Sequence, residues 1–203
     1  MYQPLYNYFI SLILLCTSVS LLYAQEFRFF NPSDQMVGLN VGYGNQRIGG
    51  LQIDSEHDYE ILLLQGQYNF QLFQRKGWSI DFLLLPQFSF SKYKPNPHAI
   101  KNYGHEFGLS GGLQLRQNIF NNDIDAYLQI AFGPHYVSGV PERQDAGFIF
   151  SDSAAAGILL GLWNDLFLNI KIGVRHISNA HIKPRNGGVN NLIVSTGLLI
   201  KLG

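Results

Sequence analysis

Two side chains toward the C-terminal end of the chain, His176 and Ser178, have the types and the spacing for nucleophilic chemistry. A serine hydroxyl becomes a competent nucleophile when an imidazole takes its proton as attack begins. Residues two apart share a face only in an extended segment, because side chains alternate along a strand. The neighbours show that alternation. Leu166, Leu168, Ile170, Ile172 and Val174 share the parity of His176 and Ser178, whereas Asn169, Lys171 and Arg175 take the other. A polar pair at the end of an apolar face also marks the point where a strand enters a headgroup region. The spacing alone therefore leaves both readings open.

The rest of the chain supplies seven more segments of the same kind. In the third, Trp78, Ile80, Phe82, Leu84, Pro86, Phe88 and Phe90 form a wholly apolar face against a mostly polar one. The second sets Leu62, Leu64, Tyr68, Phe70 and Leu72 against Gln65, Gln67, Asn69 and Gln71. The fourth and fifth repeat the split near Glu106–Ile119 and Ile124–Phe132. The sixth is expected near Ala146–Leu162, the seventh at Leu166–Ser178 and the eighth at Asn190–Leu202, with a weaker first strand near Val37–Tyr43. Period-two alternation without helical periodicity reads as all-β.

A soluble sandwich would put Lys and Glu on its polar faces. Here those faces carry Gln, Asn, Ser and Gly with a few opposite charges, as suits a narrow hydrogen-bonded lumen. Only a closed barrel pairs every edge in lipid, so the fold class expected is an eight-stranded antiparallel transmembrane outer-membrane β-barrel. The links near Phe73–Gly77, Phe120–Asp123 and Trp163–Asp165 are short, and the other links are longer. Short turns face the periplasm and long loops the exterior, which places the outer end of strand seven, with His176 and Ser178, at the extracellular rim.

Composition agrees. The chain has 203 residues with 14 basic and 14 acidic side chains, a balance that argues against a nucleic-acid binder, which needs a positive face to meet phosphates. The apolar run Phe9–Ala24 contains the single cysteine, Cys16, and has the length of a signal-peptide core, with cleavage expected after Ala24. The expected organisation is a leader over 1–24 and one barrel over 25–203, in the outer membrane of a Gram-negative cell. His57, His98, His105, His135 and His181 show no metal-ligand spacing, and neither a metal nor an organic cofactor is expected.

The stretch Arg175-His176-Ile177-Ser178-Asn179-Ala180-His181-Ile182-Lys183-Pro184-Arg185-Asn186-Gly187-Gly188-Val189 resembles the C-terminal signature of the PagL-type lipid A 3-O-deacylases. The resemblance implies a serine esterase that removes an ester-linked acyl chain from lipid A at the lipid-facing side of a barrel. It implies Ser178 as nucleophile and His176 as general base. It also implies that Asn186, or the adjacent backbone, helps bind the oxyanion; Asn179 is read first as shaping the turn and second as a further donor. Lipopolysaccharide is the substrate so implied, with outer-membrane lipids as the surroundings, and the scaffold is compatible with a homodimer.

One position departs from the family. The glutamate expected twelve residues after the serine is Asn190 here. An asparagine can orient a histidine but cannot offset the charge of an imidazolium. If the turn near Trp163–Asp165 pairs Leu162 with Leu166, Asp152 falls opposite His176 on the same outward face, where it could replace the missing acid. An aspartate in the headgroup region is the competing reading. His181, Lys183 and Arg185 flank the pair and could attract lipid phosphates, or form an ordinary solvated loop. The alternative to an enzyme is a non-catalytic structural or lipid-binding barrel on the same scaffold, and Asn190 is its chief support.

Overall fold

The computed structural model describes residues 28–29, 35–53, 58–120 and 123–202. The expected leader over 1–24 and His57 lie outside the described residues. Eight long strands form the wall: β1 (Gln35–Asn45), β2 (Tyr59–Arg75), β3 (Trp78–Tyr93), β4 (Asn102–Phe120), β5 (Ile124–Val137), β6 (Gly147–Trp163), β7 (Leu166–Ser178) and β8 (Val189–Leu202). Each pairs antiparallel with the next, and β8 returns to pair with β1. The sheet is therefore closed, which removes the unpaired edges that lipid would penalise. Two of the described residues, Arg28 and Phe29, pair with the end of β2, and a small hairpin, Arg47–Ile48 with Leu51–Gln52, stands between β1 and β2.

Alternation in the sequence becomes alternation across the wall. On β3 the odd-parity positions Ser79, Asp81, Ser89 and Ser91 are buried while Phe82, Phe88 and Phe90 are exposed. The exposed set continues around the barrel through Leu113, Leu128, Ile130, Phe132, Ile172 and Val174. Such an outer belt of apolar side chains and a polar inside is the inverse of a soluble core.

The inside is filled by hydrogen-bonded side chains. Asn169 Nδ2 donates to Asn40 Oδ1 at 2.7 Å, and Tyr127 donates to Asn169 Oδ1 at 2.6 Å. Asn40 Nδ2 donates to Gln67 Oε1 at 3.1 Å. Nearer the outer end, Arg175 Nη2 meets Glu106 Oε2 at 2.7 Å, its Nε donates to Ser151 Oγ at 2.9 Å, and the Tyr59 hydroxyl donates to Glu106. Removing one partner of a buried ion pair strands the other charge, so this cluster ties β2, β4, β6 and β7 together beneath the outer rim.

The turns at one end are short, and between β2 and β3 only Lys76 and Gly77 intervene, both at positive φ. One expectation at this end is corrected. Leu166 pairs with Trp163 rather than Leu162, and an irregularity between Leu166 and Phe167 shifts the ladder before Leu168 pairs with Leu160. The turn uses just Asn164 and Asp165, and Asn164 takes a φ of 46° to close it. The irregularity absorbs the difference, so further along β7 faces β6 in the register that pairs His176 with Asp152.

Candidate active site

His176 lies near the end of β7, between Asp152 of β6 and Asn190 of β8 as its two cross-strand partners. The imidazole Nδ1 and the Asn190 Oδ1 are 2.7 Å apart. The amide oxygen only accepts, so Nδ1 is the donor in this contact and Nε2 is left out of it. Asp152, on the other side, is exposed, and no hydrogen bond or ion pair joins it to His176. His176 contacts one neighbour and merely faces the other.

Ser178 ends β7, is half-buried and pairs with Phe150 of β6. Phe150 belongs to an aromatic group on that side, stacked on Phe132 at 5.4 Å and edge-on to Phe148 at 5.2 Å. His176 and Ser178 share one side of the wall, about 6.6 Å apart along the strand at the usual rise per residue. No hydrogen bond joins the two side chains.

Directly after Ser178 the chain turns sharply. Ala180 and His181 both take positive φ, 50° and 63°. Two consecutive left-handed residues with side chains are costly and persist only where the surroundings over-determine them. Here the two asparagines of the sequence reading do so. Asn179 N–H donates to Asn186 Oδ1 at 2.8 Å, and Asn179 Nδ2 donates to the Arg185 carbonyl at 2.8 Å. Asn186 Nδ2 and His181 Nδ1 are 3.1 Å apart. Asn179 thus holds the loop's backbone, while Asn186 links its two limbs.

A second loop, between β5 and β6, locks onto the first. Gln144 and Asn186 form an isolated bridge, Gly187 N–H donates to the Arg143 carbonyl at 2.8 Å, and Asp145 N–H donates to the Arg185 carbonyl at 2.9 Å. The Asp145 carboxylate accepts from Arg185 through backbone N–H and Nε, both at 2.9 Å. The Arg185 backbone hydrogen bond, followed by its guanidinium, holds the Asp145 carboxyl below its ordinary range. Lys183 donates to the Ala146 carbonyl. Of the three basic groups flanking the pair, Arg185 and Lys183 are therefore engaged in holding loops together.

An open groove of about 610 Å³ runs along the outside of the wall from this point. His176, Asn190 and Asp152 stand at one part of it, and Val174, Ala154, Phe132 and Leu113 continue it across β6, β5 and β4. Its floor is low because Ala154 and Gly111 carry little or no side chain between larger neighbours. Ser178 is not among the groove-lining residues. Among the described residues no group of three or more His, Cys, Asp or Glu is arranged to hold a metal.

The residues not foreseen as part of the site are glycine and glutamine. Gly188 has a φ of 66°, and a Cβ there would lie 2.3 Å from His176 Cε1. The ring of the candidate base rests on that bare backbone. A glycine at 188 leaves the backbone bare where the ring comes close.

Residues 59–198 match the family model described as lipid A 3-O-deacylase (PagL). The chain belongs to this family. Among solved structures, that of the outer membrane enzyme PagL is similar at 16% identity and a TM-score of 0.54, over 81% of this chain and 98% of that one. The Neisserial surface protein A (NspA) structure is similar at 10% identity and a TM-score of 0.51, over 83% and 97%. Both likenesses speak for the barrel fold, and the chain is an outer-membrane β-barrel of the deacylase family. A comparison with curated proteins found no match.

Proposed function

We propose that this outer-membrane protein is a serine esterase that removes an ester-linked acyl chain from lipid A at the lipid-facing side of its wall. The observation that carries the proposal is the His176 Nδ1 contact to Asn190 Oδ1 at 2.7 Å, beside a serine of the same parity. It leaves Nε2 as the free base. The acyl chain lies in the apolar groove over Ala154 and beside Phe132, which brings the ester carbonyl to the rim. Ser178 Oγ attacks that carbonyl while His176 takes its proton; the ester C–O bond then breaks and His176 returns the proton to the leaving alkoxide. Water hydrolyses the acyl-serine by the same exchange in reverse. Asn186 and the backbone of its loop donate to the oxyanion.

The two candidates for the third member divide its work on this reading. Asn190 sets the tautomer and the ring plane. Asp152, facing the ring from β6, offsets the imidazolium charge that a neutral amide cannot. The non-catalytic barrel remains the second reading, favoured by the amide at 190 where the family has an acid. Mass spectrometry of lipid A from cells expressing wild type, Ser178→Ala or His176→Ala separates them. Loss of an acyl chain only with wild type is expected; identical profiles from all three and from empty vector would overturn the enzyme.

A further inference from the structure

Two buried glutamines from opposite loops converge on the short backbone run that holds the His176 ring. The β8–β1 ladder begins at Leu192 and Asn45, leaving the Asn190 carbonyl beyond its end. Gln46, the next residue after β1, takes over: its Nε2 donates to the Asn190 carbonyl at 2.9 Å and to the Tyr59 carbonyl at 3.1 Å. Its Oε1 accepts from Tyr59 N–H at 2.9 Å. One side-chain amide thereby acts as an extra rung joining β8 to β2. On the far side Gln144 Oε1 accepts from Gly188 N–H at 3.1 Å, and its Nε2 donates to the Asp145 carbonyl at 3.1 Å. Gln46 is 4% exposed and Gln144 2%, so water does not compete for these bonds.

The two residues anchored through their backbone meet the imidazole by different means. Gly188 packs against the ring, and Asn190 bonds its Nδ1. We propose that Gln46 and Gln144 are positioning residues for His176, clamping Gly188 to Asn190 from either side so that the ring stays in its plane with Nδ1 protonated. The inference rests on the esterase reading for its rate consequence, but its structural content concerns the ring alone. Neither glutamine touches the reacting atoms.

The same substitution separates their roles. Glutamate at 144 keeps the acceptor for Gly188 N–H; glutamate at 46 loses the donor to the Asn190 carbonyl. The full chain is refolded in detergent, with the folded fraction read from gel mobility before and after heating. Hydrolysis of lipid A in mixed micelles gives kcat and KM, and nitrogen NMR reports the His176 ring. Gln46→Ala, Gln144→Ala and Gln46→Glu are each expected to lower kcat roughly tenfold with little change in KM, the scale of a slightly misplaced catalytic group. All three should keep the folded fraction and disturb the hydrogen-bonded Nδ1–H signal, whereas Gln144→Glu recovers most of the rate and the signal. The clamp is refuted by unchanged ring signals in both alanine variants, or by losses that merely follow the folded fraction. An inactive wild type would remove the esterase reading, and the ring signals would still decide on the clamp.

Discussion

Replacing Gly188 with alanine should disable the site without unfolding the barrel. The added Cβ would sit 2.3 Å from His176 Cε1 and 3.0 Å from Nε2, where ordinary contact begins at 3.4 Å. The near edge of the ring must retreat by about 1.1 Å, since repulsion rises steeply inside the contact distance. Two routes are open. Either the ring tilts away from Gly188 and strains its 2.7 Å bond to Asn190, or the backbone leaves its φ of 66° and pulls Gly188 N–H from Gln144. An alanine held in the left-handed region adds about 1–2 kcal/mol of its own. A displacement of about an ångström in a catalytic group costs on the order of 10²-fold in rate. Gly188→Ala is therefore expected to lose about two orders of magnitude in kcat for lipid A hydrolysis. It should migrate as a folded barrel, because the residue lies in an outer loop. A folded Gly188→Ala with kcat within threefold of wild type, about 0.7 kcal/mol or less, would refute the packing argument.

Asp152→Asn should lower kcat roughly tenfold while leaving KM in place, if its charge offsets the imidazolium; an unchanged rate would assign it to the headgroup region. Asn190→Ala should lower kcat as well, because it frees the ring to rotate, and ring NMR should show mixed tautomers. The Asp145 carboxyl is depressed in the folded state by Arg185, so its contribution is present above its unfolded value and is lost as pH falls through the folded one. Protection factors for the backbone amides of residues 179–188, taken relative to intrinsic exchange at each pH, should accordingly fall as the medium is taken from neutral to below about pH 4, and Asp145→Asn should weaken that acid dependence. Ile130→Arg, on the exposed outer wall, should destabilise the barrel in bilayers by about 2–4 kcal/mol if it lies near the midplane, measured by denaturant titration.

The strand pattern carried most of the architecture because a wall with apolar and polar sides must alternate. Phe82, Phe88 and Phe90 against Asp81, Ser89 and Ser91 left little freedom in β3, and parity along β7 put His176 and Ser178 on one face of their strand. The sequence makes the turn after β6 one residue too long. Nothing in Trp163, Asn164 and Asp165 announces that Leu166 will pair with Trp163 before the ladder shifts. The loops were opaque for a different reason. Gln46 reaches Asn190 across 144 positions and Gln144 reaches Gly188 across 44, and each satisfies backbone groups that no strand ladder pairs there. Such bonds follow no period, so a glutamine in a loop reads as solvated until the fold brings the orphan carbonyl or N–H to it.

The groove beside His176 is open along its length, with a protein floor and no opposing wall. On the proposed reading the surrounding bilayer is the missing half. The substrate would then arrive by lateral diffusion, and its effective concentration would be a mole fraction in the leaflet rather than a molarity. Diluting lipid A with inert detergent or phospholipid at fixed bulk concentration should slow turnover, whereas adding more vesicles of the same composition should not. Chain order, thickness and fluidity of the leaflet become determinants of rate, as solvent is for an enzyme in water.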